Sequence, residues 1–196
     1  MDLRPKLQLQ TMIKAMTDVV MPAIDPENDL AIEQAQLILG MMHLMVVRLP
    51  RQFEFDVNEL ERAVDLSLVI LKEGKGGPNT QTALASLQQS EAQGRAILSA
   101  AKASPENIEQ AILDLRSRTS ALIDALSSDG ESACQTTISR AVLESSQEQI
   151  ALERAWFAPQ GWDTKEDAPE SLEKLLPKRP LLNNESIRPG ENDDYT

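Results

Sequence analysis

Cysteine and histidine occur once each in a chain of 196 residues, beside two Trp, one Tyr and three Phe. A single cysteine, Cys134, closes no internal disulfide and builds no cysteine-based metal site, so nothing calls for an oxidising compartment. A single histidine, His43, excludes the carboxylate-bridged di-metal centre of helical bundles, which needs Glu-x-x-His on two helices. The residue three before His43 is Gly40. All-oxygen calcium loops are missing as well, because no DxDxDG-like run exists. Basic charge is short: 19 Lys and Arg face 31 Asp and Glu, and the net charge of −12 repels phosphate backbones and anionic lipid. No metal, no cofactor, no catalytic residue and no nucleic-acid partner are therefore expected.

What is present favours helices. With aromatics scarce, the 41% apolar content consists mostly of Leu, Ile, Val, Met and Ala, a palette suited to helix-on-helix packing. The longest apolar stretch, Leu30–Leu49, is broken between Leu37 and Val47 only by Gly40 and His43. Apolar on nearly every side, it reads as a helix that other helices surround, the central post of a bundle. Glu33, Gln34, Gln36, His43 and Arg48 make it too polar for an ordinary membrane span. The opening MDLRPKLQLQ lacks the apolar core of a secretory signal, so a cytoplasmic location without membrane association is expected.

Taken in order, Leu9, Met12, Ile13, Met16, Val19 and Val20 recur at helical spacing in a first helix ended by Pro22. Asp25-Pro26-Glu27 supplies a cap and first turn for a central helix over 26–49. After Pro50, Asp56-Val57-Asn58-Glu59 resembles a capping box, with Phe55 stapled on Leu60 across it, and a third helix runs to about Glu73. Residues 1–73 thus form an apolar three-helix unit. Residues 74–79, Gly-Lys-Gly-Gly-Pro-Asn, read as a flexible connection; no strand precedes them and GxxxxGK[ST] is absent, which argues against a phosphate loop. Three amphipathic helices follow over 80–157. The first has a narrow face of Ala83, Ser90, Gly94 and Ala101, and the second opens at Ser104-Pro105. Residues 158–196 are a Pro-rich, irregular tail with one short helix around 170–176, its leucines strapped onto the bundle. The expected fold is all-α: about six helices in two three-helix halves joined by the Gly-rich loop.

Four features bear on function. Glu33, Gln36, Gly40 and His43 share one face of the central helix, at spacings of 3, 4 and 3. They form either a small polar slot for a ligand or, more simply, the surroundings of a buried structural histidine. Met12, Met16, Met21, Met41, Met42 and Met45 cluster in the first two helices, where methionine adapts to irregular apolar surfaces. An acyl-chain-like molecule lodged there, lined by Met41 and Met45, is one reading, and ordinary core filling is the plainer one. Cys134 reads as a small core residue, since no histidine adjoins it in sequence. The seam of Ile112, Leu115, Leu122 and Leu126 is faced on the last helix by Ser145 and Gln149, so it needs another surface to cover it. A second copy of the chain supplies one. The leading expectation is a non-enzymatic interaction or assembly module that dimerises through residues 105–157, with a further protein partner as an option. A binder of an apolar small molecule is second, and an enzyme third.

Overall fold

The computed structural model describes residues 4–100 and 102–176. Among them the architecture is all-α, and the one β-type contact is an isolated antiparallel bridge between Gly76 and Gly130. The helices are α1 (Pro5–Ala15), α2 (Met21–Ala23), α3 (Asp29–Arg48), α4 (Gln52–Glu73), α5 (Pro78–Ser99), α6 (Pro105–Asp129), α7 (Ser132–Phe157) and α8 (Leu172–Leu175). A π-helical turn, Met16–Val20, leads α1 into α2 just ahead of Pro22, which has no amide to give to the helical ladder.

The main core draws on α4, α5, α6 and α7. Val57, Leu60, Val64 and Ile70 meet Leu87, Ile108, Ile112, Leu115, Leu122, Leu126 and Ile138. Helix α4 packs on each of the other three, and α5 lies closest of all to α6. Ser90 and Gly94, both buried, make that approach possible, as the narrow face of α5 suggested; Ala101, the fourth residue of that face, lies outside the described residues. A helix from before the Gly-rich loop thus walls the seam of the helices after it.

The stretch expected at the centre lies at the edge. Only Ala35, Met42, Leu44 and Arg48 of α3 are buried, while Leu30, Leu37, Ile38, Met41, Met45 and Val47 are exposed. The reason is one of partners: α1 packs on one side of α3, and the end of α7 with the turn after it touches another. No residue of α1, the π turn or α2 is buried. Together α1, α2 and α3 form a helical hairpin on the four-helix body.

Helix starts differ from expectation at two places. Asn28, not Asp25, caps α3, its Oδ1 accepting from Ala31 N at 3.1 Å; Asp25 turns the loop by accepting from Glu27 N. Asp56 is no cap, because the chain needs only a single 3₁₀ turn, Leu49–Arg51, to pass Pro50 and resume as α4. Phe55 accordingly packs on Trp156, ring centroids 4.5 Å apart, and not across a cap. Ser104 does cap α6, accepting from Asn107 N at 3.2 Å.

The Gly-rich connection is pinned. Gly77 N donates to Asp129 O and Glu131 N to Lys75 O, both at 2.9 Å. The Asp129 carboxylate caps α5, taking Asn79 N at 2.8 Å, Thr80 N at 3.0 Å and Thr80 Oγ1 at 2.5 Å. Within the tail, Leu172 and Leu176 are buried with Phe55, Leu152 and Ala155, which places the short helix where proline spacing left room for it. Leu181, Leu182 and Ile187 lie outside the described residues.

Candidate functional site

Two surfaces stand out, and the sequence pointed at neither in its observed form. The first is the outer face of the hairpin. Leu30, Leu37, Ile38, Met41 and Met45 fall on one stripe of α3, with Gln34 among them, at the three- and four-residue spacing of a helix–helix seam. Leu30 is 68% exposed, Met41 44% and Met45 48%, so the methionines line no enclosed chamber with α1. Twelve large apolar side chains between Leu7 and Phe53 are exposed, against eight over the rest of the described residues. The apolar surplus is therefore local to the hairpin and the start of α4. By length and composition, this stretch also holds the one helix among the described residues that is long and apolar enough to cross a membrane, with 17% of its most apolar window buried.

The expected polar slot is not enclosed. Glu33, Gln36 and His43 are exposed, and Gly40 is half-buried. Gly40 alone of the four is not exposed, and it meets the turn after α7: Gln160 Nε2 donates to Gly40 O at 3.0 Å. His43 is consequently no buried structural histidine. One turn below, Arg48 ties the hairpin to the body. It is buried, its Nε donates to Trp156 O and its Nη2 to Ala155 O, each at 2.8 Å, and it lies 5.6 Å from the Trp156 ring. Desolvation holds the Arg48 pKa below the usual range, while the carbonyls at the end of α7 satisfy its charge.

The expected dimer seam is covered within one chain. Ile112, Leu115, Leu122 and Leu126 are at most 5% exposed, because α4 and α5 pack over them. An interface through those four residues is thereby overturned. Cys134 is buried, its Sγ–H within reach of Lys75 O at 3.1 Å and Glu131 O at 3.0 Å, which makes it part of the pinned loop. Among the described residues no three His, Cys, Asp or Glu side chains gather where a metal ion would fit.

The second surface is a groove of about 370 Å³ with α4 as its floor and α6 and α7 as its walls. It exists because α6 and α7 both pack on α4 but scarcely on each other. At one end stand Glu59, Arg62, Arg116 and Gln149; toward the other are Leu66, Ile123 and Val142. Arg116 pairs with Glu59, and Arg62 Nη2 donates to Gln149 Oε1. Arg62 Nε is buried without an acceptor. Burial lowers the Arg62 pKa, with Glu59 acting against that shift, and burial raises that of Glu59, with Arg116 opposing it. Sequence reasoning passed over Arg62 because an arginine two residues from Leu60 and Val64 reads as a solvated flank. A larger trough of about 470 Å³ between α5 and α6 is lined by Ser86, Gln89, Gln93, Asn107 and Gln110. Its buried hydroxyl, Ser90, is satisfied by Asp114.

Compared with models of known families, with curated proteins and with solved structures, the chain matches none.

Proposed function

We propose that this chain is a non-enzymatic assembly module that pairs with a second copy through the outer face of the α1–α3 hairpin. The functional units are then the hairpin, residues 5–48, and the four-helix body, residues 52–157, and not two equal halves. One observation carries the reading: the apolar stripe of α3 is exposed among the described residues. A two-helix hairpin whose first helix buries nothing gains little from its own contacts, and helices draw most of their stability from tertiary packing. A second hairpin laid across the first completes a four-helix bundle, the arrangement in which an apolar stripe is covered on all sides.

Size and charge agree. Twenty residues of α3 span about 30 Å at 1.5 Å per residue, and two helices side by side are about 20 Å wide. Such a face offers roughly 600 Å² per protomer, so two copies reach the ~1,000 Å² at which specific interfaces begin. The chain carries −12, yet residues 30–47 contain Glu33 as their one formal charge. Like-charged copies meet with least repulsion there.

Sedimentation velocity at micromolar concentration tests the proposal. A dimer is expected for the wild type and a monomer of unchanged helicity for Ile38→Glu/Met45→Glu. A wild-type monomer would overturn it. If that monomer also floated with phosphatidylcholine vesicles, the stripe would belong to a bilayer.

A further inference from the structure

The groove between α6 and α7 is separate from the hairpin and independent of how copies pair. Its chemistry is graded. Arg116 beside Glu59 and Arg62 beside Gln149 fix the polar end. One to two turns further along α4 and α6, and back along α7, Leu66, Ile123 and Val142 form the apolar end. Thr119, Ser120, Ser145 and Ser146 line the stretch between.

The guanidinium of Arg62 is under-satisfied. Its Nε and Nη2 form a fork suited to two oxygens of one carboxylate. Gln149 supplies one oxygen to Nη2, and Nε has none. A buried donor without an acceptor costs the desolvation of that group, so an incoming acceptor is favoured. An amide offers a single oxygen where a carboxylate offers two; Gln149 thus occupies half of a carboxylate's place. Gln149 has a second partner to hold it once displaced, since its Nε2 donates to Glu153 at 2.6 Å.

We propose that this groove binds a medium-chain carboxylate, with the acid on the Nε–Nη2 edge of Arg62 and the alkyl chain along Leu66, Ile123 and Val142. A groove of about 370 Å³ has room for an alkyl chain of medium length. Charge selects the head. Two guanidiniums and one carboxylate line the groove, and Glu148 and Glu153 stand exposed near Arg62. Any anion at Arg62 meets these same carboxylates, and their repulsion is smaller for a singly charged head than for a doubly charged phosphate.

The test is a titration of sodium decanoate into the full chain carrying ¹³C-methyl isoleucine and methionine, followed by NMR. Saturable shifts at Ile123 and Ile150 are expected, with Met41 and Met45 unmoved. Arg62→Gln should weaken binding at least tenfold, and Ser120→Trp, a surface substitution that fills the groove, should abolish it. Decan-1-ol should bind more weakly than decanoate. Shifts confined to Met41 and Met45, no saturation below the concentration at which decanoate aggregates, or full affinity in a folded Ser120→Trp protein would each overturn the proposal. So would equal affinity of Arg62→Gln and the wild type.

Discussion

A Cβ added at Gly94 would lie 3.0 Å from Val64 Cγ2 and 3.3 Å from Leu115 Cδ1, both in the packed core. A Cβ at Gly40 would lie 3.0 Å from Gln160 Oε1, the far end of a flexible side chain. The two glycines should therefore answer oppositely in urea titrations. Gly94→Val forces methyl groups between three helices and should cost about 1–3 kcal/mol, as overpacking does. Gly40→Ala gains helix propensity of up to about 1 kcal/mol and disturbs one half-buried contact whose partner is flexible, so it should be neutral or mildly stabilising. A large loss for Gly40→Ala would mean that the Gln160 contact governs the seating of the hairpin. Gly94 was legible in the sequence, because small residues at 83, 90 and 94 share one helix face. Arg48 and His43 were not. Each is a polar residue in the same apolar run, and their fates divide on whether a carbonyl 107 or 108 residues away comes within reach.

Among the elements, the join between α5 and the α6–α7 turn answers to pH through Asp129. Hydrogen bonds from Thr80 and Asn79 hold the Asp129 carboxyl below its ordinary range, the Thr80 hydroxyl contributing most. A carboxyl whose folded pKa is depressed stabilises the fold fully above its unfolded value, near 3.8, and that stabilisation is lost as pH falls through the folded pKa. Thermal melts at neutral pH should show a lower Tm for Asp129→Asn than for the wild type. The gap should narrow as pH is lowered below about 4, where the wild-type carboxyl protonates too. A gap that stays constant across that window would remove Asp129 from this role. Composition at 74–79 showed that the chain turns there and hid that the turn is fixed. The fixing group lies 50 residues on, at the end of another helix. The cap at Ser104 was legible because its donor amide is three residues away, whereas at α3 the equally local Asn28 was passed over for Asp25. The Asp56 box failed because Pro50 and a 3₁₀ turn let α4 begin a turn earlier, at Gln52.

At the scale of the whole molecule, helix number and class followed from periodicity and breakers, since both act locally. Which helix is central did not, because apolarity measures the need for cover and not its source. Helix α4, amphipathic and unremarked in composition, sits against three neighbours, while the more apolar α3 has α1 and the end of α7. Stability should be divided along the same line. Helices α4 to α7 share a continuous buried core, and the hairpin adds none of its residues to it. Local opening free energies rise with buried contacts, so amide hydrogen exchange should separate the two parts. If pairing covers the hairpin, mass action links its protection to protein concentration, since association stabilises only the closed form. Exchange from residues 5–48 should therefore slow as concentration rises through the dimerisation range, with α4–α7 unchanged. Ile38→Glu/Met45→Glu should abolish that dependence and leave the hairpin exchanging at its fast, dilute-solution rate. Hairpin protection that matches the body at every concentration would show that α1 and α3 stand without a partner, and would sink the assembly reading together with this one.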